Sequence, residues 1–378
     1  MKIGIVCYPT FGGSGVVATE LGLELSKRGH EIHFITYNQP VRLELLGNNV
    51  HYHEVTVPEY PLFHYQPYEL ALSSKLVDMV KLHGIEILHV HYAIPHAYAA
   101  YMAKKMLLEE GIYVPIVTTL HGTDITLVGS HPFYKPAVTF SINKSDAVTA
   151  VSQSLKDDTM RLFNIKNDIN VVPNFIDLNK YNHDYTDCQR EMMANDDEKI
   201  ITHISNLREV KRVQDVISVF YNIQKEMPAK LMLVGEGPEH EKIELQCQKL
   251  GILDRVIFFG RSNEIDKILC FSDLFLLPSE TESFGLAALE AMASGVPVIS
   301  SNTGGIPEVN MHGVSGFLSN VGDVDDMTKN ALHILSDTTR LQTFKDNARK
   351  ESLKFDLHNI VPQYEAIYED TLSNCLVL

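Results

Sequence analysis

Leu274-Phe275-Leu276-Leu277-Pro278-Ser279-Glu280-Thr281-Glu282-Ser283-Phe284-Gly285-Leu286-Ala287-Ala288-Leu289-Glu290-Ala291-Met292-Ala293-Ser294-Gly295-Val296-Pro297-Val298-Ile299-Ser300 reads as one strand, loop, helix and strand. The apolar run 274–277 is a buried strand, 278–281 a polar turn, Gly295 a helix stop and 298–300 the next strand. With a helix start near Ser283, the amides of Phe284, Gly285 and Leu286 have no intrahelical acceptor and form an anion site. Glu282 then sits at the helix mouth. Glu290 lies roughly 12 Å further along the axis, at about 1.5 Å per residue. Two acids so placed can bind hydroxyls at either end of a ligand whose phosphates rest on the helix end.

The alternation continues outward from this stretch. Upstream, strands are expected at 2–7, 31–36, 87–91, 116–120, 147–151 and 170–172, with helices at 15–28, 70–82, 97–110, 136–143 and 154–163. The pattern restarts at strand 200–204 and runs through helix 213–227, strand 230–234, helix 240–250 and strand 256–259 into the quoted segment. Such alternation implies α/β architecture, with parallel sheets covered on both faces. The polar stretch 179–197 divides the series, and 378 residues are more than one ordinary core organises. Two doubly wound domains facing each other across a cleft are expected, with ligands at the carboxyl ends of the strands. The final stretch, 357–372, reads as an amphipathic helix.

A hydrophobic share of 45% and a charged share of 21% place the chain among soluble globular proteins. No apolar run approaches bilayer length. Residues 1–7 read as a first core strand rather than a leader, because Pro9, Gly12 and Gly13 interrupt the run. The 5 cysteines are odd in number and scattered, without a C-x-x-C pair, which points to a reduced cytoplasmic location and no zinc site. A net charge of −16 argues against nucleic acid as the partner. It also sets a problem for a phosphorylated ligand. A carboxylate about 6 Å from one phosphate charge repels it by roughly 3 kcal/mol at an effective dielectric near 20. The glutamates must therefore meet hydroxyls, and cations must meet the phosphates.

Those cations are present in Ser205-Asn206-Leu207-Arg208-Glu209-Val210-Lys211-Arg212, which links a strand to a helix. Three cations at a helix N-terminus oppose its dipole unless an anion is bound there. Gly13-Ser14-Gly15-Val16-Val17-Ala18 fits G-x-G-x-x-A, yet Tyr8-Pro9-Thr10-Phe11 separates it from the strand and Thr36-Tyr37-Asn38 offers no acid for a ribose. A nicotinamide fingerprint is thus disfavoured. The glycines are expected to allow close backbone approach to a phosphate or to a second substrate. His121, in Thr119-Leu120-His121-Gly122-Thr123-Asp124, closes a strand and points toward the expected cleft.

These segments resemble, in order and over nearly the whole chain, the retaining, family 4 type of nucleotide-sugar glycosyltransferase. Besides the pair Glu282 and Glu290 with its Phe284-Gly285 step, the resemblance rests on Gly13-Ser14-Gly15 and on Val171-Val172-Pro173-Asn174. It rests also on the 205–212 turn, on Gly260-Arg261-Ser262-Asn263 and on Gly304-Gly305-Ile306-Pro307-Glu308. It implies GT-B architecture with two Rossmann-like domains. Residues 1–178 with a returning helix at 357–378 would bind the acceptor, and 179–356 the nucleotide sugar. The implied catalytic set is His121, Glu282, Lys211 and Arg208. Glu282 would serve the transferred sugar and Glu290 the ribose, with Gly15, Asn206, Arg261, Ser283, Phe284, Gly285 and Leu286 also on the donor. The family commonly has an arginine five residues before the lysine, where this chain has Asn206, so Arg208 and Arg212 both remain open. Ser14, Tyr92 and Thr118 are implied for the acceptor.

Residues 1–15, 89–97 and 204–212 further resemble the branch of the family that passes N-acetylglucosamine from UDP to the 2-hydroxyl of L-malate, the opening step of bacillithiol biosynthesis. UDP-N-acetylglucosamine and L-malate are the implied partners. Neither cofactor nor metal is implied, since Lys211 and the helix end stand in for a cation. An isomerase of the UDP-N-acetylglucosamine 2-epimerase type, a transferase with another acceptor and a non-catalytic binding protein stay open as rivals. A lipid acceptor would favour a basic amphipathic patch, and Lys104-Lys105 is only a small one. No stable membrane association is expected, and homo-oligomerisation is left open.

Overall fold

The computed structural model describes residues 1–10, 12–43, 49–59, 65–181 and 190–375. Its contacts divide the chain into two units, 1–175 with 357–378, and 176–356. The expected connection at 179–197 falls partly on residues 182–189, outside the described set.

In the first unit β1 (Lys2–Val6), α1 (Gly13–Lys27), β2 (Glu31–Thr36), β3 (Val50–Glu54), α2 (Tyr68–His83), β4 (Ile87–His91) and α3 (Tyr98–Glu109) follow in sequence. They continue through β5 (Ile116–Leu120), α4 (Lys135–Lys144), β6 (Ala147–Ala150), α5 (Gln153–Leu162) and β7 (Asn170–Val171). The sheet is 7-stranded in the order β3-β2-β1-β4-β5-β6-β7, and every pair is parallel. β4 and β5 are buried along their whole length, as strands covered on both faces must be. β3 escapes sequence reading because Val50-His51-Tyr52-His53-Glu54 is half-exposed and carries no apolar run.

The second unit repeats the plan. It holds β8 (Lys199–Ile204), α6 (Val213–Glu226), β9 (Ala229–Val234), α7 (His240–Leu250), β10 (Val256–Gly260), α8 (Ile265–Cys270) and β11 (Leu274–Leu277). α9 (Leu286–Ala293), β12 (Val298–Ser301), α10 (Ile306–Val309), β13 (Gly316–Ser319), α11 (Val324–Leu335) and α12 (Thr338–Ser352) complete it. Its 6 strands run β10-β9-β8-β11-β12-β13, again all parallel. In both sheets the order reverses beside the first strand, between β1 and β4 and between β8 and β11. Loops leaving those carboxyl ends diverge there and leave a crevice.

α13 (Leu357–Cys375) belongs to the first unit. Tyr364 and Tyr368 are fully buried, and the Tyr368 hydroxyl meets His89 Nδ1 at 2.7 Å. Glu365 accepts from Arg28 at 3.1 Å and meets His30 Nε2 at 2.9 Å. Pro362 lies inside this helix and supplies no amide to the His358 carbonyl, which instead accepts a long 3.5 Å bond from Arg28. Among the described residues no helix is long and apolar enough to cross a membrane. Cys7 and Cys247 are free and buried, whereas Cys270 is disulfide-bonded, a pairing that the scattered spacing does not announce.

Candidate functional site

In the second unit, the loops after β8 and β11 leave adjacent strand ends and are tied together. The Glu280 amide donates to the Val210 carbonyl at 2.8 Å. Beside that bond Lys211 Nζ donates to Glu282 Oε2 at 2.6 Å, and Ser279 Oγ reaches the same oxygen at 3.3 Å. The two charged side chains are only 20% and 17% exposed, so their attraction is screened less than that of a surface pair. Behind them the Gly305 amide donates to the Glu282 carbonyl at 2.9 Å. Gly304 has a φ of +55°, and a Cβ there would lie 1.9 Å from the Glu282 carbonyl oxygen. The glycine pair therefore lets one loop rest on the backbone that carries Glu282.

α9 starts later than the sequence suggests. Gly285, with φ +95°, precedes it in the left-handed region and Leu286 is its first residue. The orphan amides accordingly shift toward Leu286, Ala287 and Ala288, which corrects the set Phe284 to Leu286. The straight axial estimate from Glu282 to Glu290 falls with it, because 282–285 are not helical. Phe284 is buried and packs edge-on against Phe355, with ring centroids 5.5 Å apart, so its side chain anchors the loop. Ser283 and Leu286 are half-buried. Glu290 is buried on α9 and accepts from the Tyr181 hydroxyl at 3.1 Å.

The arginines separate. Arg212 caps α6 with φ +49° and gives its Nε to Asp215 at 2.6 Å. Arg208 is exposed and has no ion pair among the described residues, leaving it the available cation beside Lys211. Asn206 is also exposed. Arg261 pairs with Glu236 at 3.0 Å on the surface.

At the corresponding place in the first unit, the Tyr92 hydroxyl, after β4, donates to Ser14 Oγ, on α1, at 2.7 Å. Gly15 is buried, its amide bonds the Gly12 carbonyl at 3.0 Å, and a Cβ would stand 2.4 Å from the Thr10 carbonyl oxygen. Gly15 thus packs the loop against the start of α1. Thr118 is fully buried and shares a 2.7 Å bond with Ser145, so its hydroxyl is spent in the core. That corrects its expected acceptor role.

His121 is buried and meets His91 Nδ1 through Nε2 at 2.8 Å. The Tyr92 ring lies 5.1 Å from it. Burial, aided by His96, pushes His121 down to about 3, so the imidazole is neutral at neutral pH. Asp124 accepts from the amides of Ala93 at 2.8 Å, Gly122 at 3.0 Å and His121 at 3.3 Å, pinning both loops. Burial lifts its carboxyl to about 6 against those bonds. His96 Nδ1 donates to the His91 carbonyl at 2.6 Å, which leaves Nε2 as the unprotonated nitrogen in the neutral ring. The Nε2 atoms of His91 and His96 are buried without a partner among the described residues.

Comparison with known proteins identifies the architecture. Residues 11–180 match Glycosyltransferase Family 4, and 186–351 match Glycosyl transferases group 1. The N-acetyl-alpha-D-glucosaminyl L-malate synthase of Bacillus anthracis is 50% identical over 374 residues, 98% of this chain and 97% of that protein. The chain belongs to this glycosyltransferase family. A crystal structure of Anabaena HepE in complex with UDP and glucose superposes with a TM-score of 0.82 at 21% identity, covering 98% of this chain and 99% of that one. The sucrose-phosphate synthase of Thermosynechococcus elongatus gives 0.82 at 20% identity over 99% and 100%. The fold is GT-B, and the protein is a transferase enzyme.

Some of this glycosyltransferase's polar groups were invisible as motifs. Tyr181 lies 109 residues from Glu290. Asp124 stood in the quoted His121 segment, but three backbone amides converging on one carboxylate cannot be read from types alone. His89 and His91 alternate on β4 and are both buried, and an imidazole pair inside an apolar strand is the signal that could have found them.

Proposed function

We propose that this enzyme transfers N-acetylglucosamine from UDP-N-acetylglucosamine to the 2-hydroxyl of L-malate, with retention of the α configuration and release of UDP, as the first step of bacillithiol biosynthesis. The observation that carries this reading is the 50% identity across 98% of the chain to a protein of that named activity. The polar arrangement of each unit supports it.

Lys211 and Arg208 neutralise the diphosphate as it leaves, the largest electrostatic demand of such a transfer. The amides at the start of α9 add partial positive charge. Glu282 holds Lys211 before the donor binds and bonds sugar hydroxyls afterward. Glu290, fixed by Tyr181, receives the ribose hydroxyls. Ser283, Phe284, Gly285 and Leu286 shape the donor loop, and Asn206 and the backbone at Arg261 complete the donor side. His121 contacts the transferred sugar as a neutral imidazole, which avoids placing a cation beside an oxocarbenium-like centre. The departing phosphate oxygen accepts the malate proton, so no base of the protein is required. Ser14 and Tyr92 bind the acceptor. The protein's own cations serve where a metal otherwise would, and turnover proceeds in chelator.

The test is UDP release by the purified protein from UDP-N-acetylglucosamine with and without L-malate, followed by product mass. Malate-dependent UDP release and a glycoside of N-acetylglucosamine and malate are expected. Donor turnover that ignores malate, as an isomerase gives, or activity only with another acceptor would overturn the assignment.

A further inference from the structure

Away from the transferase site, four histidines and a glutamate share one face of the sheet edge. β2 and β3 pair in parallel with His33 opposite His51 and Ile35 opposite His53. Glu31, His33, His51 and His53 thus project to the same side, since alternate residues of paired strands share a face. α2 closes over that side. Its last residue, His83, brings its ring centroid to 4.7 Å from both His33 and His53. One donor nitrogen from each of His33, His53 and His83 lies within 4.8 Å of the others.

We propose that His33, His53 and His83 form a binding site for a borderline transition-metal dication of the zinc class, with Glu31 orienting His33 from behind. Three imidazoles on a tetrahedral ion at about 2.0–2.1 Å leave the fourth position for water. The hydrogen bonds set the tautomers that the site needs. Glu31 Oε1 lies 3.1 Å from His33 Nε2, and a carboxylate only accepts, so that nitrogen carries the proton. The His33 Nδ1 lone pair then faces His53 Nε2 at 2.9 Å. Carboxylate, histidine and metal in a line is the usual outer support of an imidazole ligand. Before binding, His53 donates through Nε2. On binding it carries its proton on Nδ1 instead, a tautomer change with no net proton release.

One further observation favours this set. Glu31, His33 and His51 form an alternative group, but Lys2 Nζ lies 3.3 Å from Glu31 Oε2 and opposes a cation there. Lys75 is the cation whose field reaches His53. The three ligands come from β2, from the sheet-edge strand β3 and from the end of α2, so a bound ion would staple that edge. α2 runs back toward the amino ends of the strands, which sets this cluster opposite the loops that carry Ser14, Tyr92 and His121. The site therefore stands or falls independently of the transferase reading.

The test uses the full chain without an affinity tag, stripped with EDTA, dialysed, and titrated with ZnCl2 by calorimetry and with CoCl2 by visible absorption. One ion per chain and the intense absorption of tetrahedral cobalt are expected, with a melting temperature that rises with zinc concentration. His83→Gln and His53→Gln, each checked for native far-UV circular dichroism, should weaken zinc binding at least about 100-fold, and Glu31→Gln about tenfold. His312→Gln, elsewhere on the surface, should leave it unchanged. No uptake by the wild-type chain, or uptake that survives both His83→Gln and His53→Gln, would overturn the proposal.

Discussion

The two sheets share a strand order, and each brings two loops together beside its first strand, yet opposite chemistry meets there. In the second unit Lys211 and Glu282 form a partly exposed ion pair, with Arg208 on the same turn as Lys211. In the first unit the same position holds no ion pair among the described residues: a tyrosine sits on a serine hydroxyl, beside a buried histidine pair and the amide-bound carboxyl of Asp124. One topology thus supports two kinds of recognition. The charged crevice suits a ligand whose charge grows as the bond breaks. The other suits a partner positioned by hydrogen bonds.

The sharpest way to break this contrast is Lys211→Ala. Removing a preorganised cation from a site of developing charge should lower kcat by about 100- to 1,000-fold, measured as malate-dependent UDP release. A tenfold loss or less would mean that the charged crevice does not carry the chemistry.

Acid should separate the units next. Burial holds His89 and His121 near about 3 and His96 near about 4 in the first unit, against His203 near about 4 in the second. These folded values lie below the unfolded value of about 6.5. Their contribution is fully present above pH 6.5 and is lost as the pH falls toward 4 and then 3. Each imidazole costs about 1.4 kcal/mol per pH unit in that window. Hydrogen exchange at pH 5 against pH 7, corrected for intrinsic rates, should show the first unit opening before the second. Simultaneous opening would remove this difference.

Smaller effects sharpen the comparison. Glu290→Gln should raise the donor KM by about tenfold, the loss of a charge-assisted bond, with the malate KM unchanged. Tyr92→Phe should do the reverse, raising the malate KM several-fold and sparing the donor. Thr118→Val should leave both KM values within about twofold, because that hydroxyl serves Ser145, and should lower stability by about 1 kcal/mol.

The alternation of apolar runs and helical stretches made both sheets legible except for the edge strands β3 and β13, down to α7 at 240–250 and β11 at 274–277. The charged crevice was legible too, because Lys211, Glu282 and the glycine pair sit in short loops directly after strands. What stayed hidden depended on long-range placement. The αL residue Gly285 delayed α9, and no pattern of residue types fixes a helix start within three positions. Thr118 looked like a strand-end hydroxyl until Ser145 was seen against it. β3 carries alternating histidines rather than apolar residues, so neither the strand nor the cluster it completes could be read as a run.

The most direct measurement is a structure of the enzyme with UDP-N-acetylglucosamine. The account predicts the ribose hydroxyls on Glu290, the diphosphate against Lys211 and Arg208, and the sugar bonded to Glu282. A nucleotide bound away from Lys211 and Glu290, or seated instead at Tyr92, would contradict it.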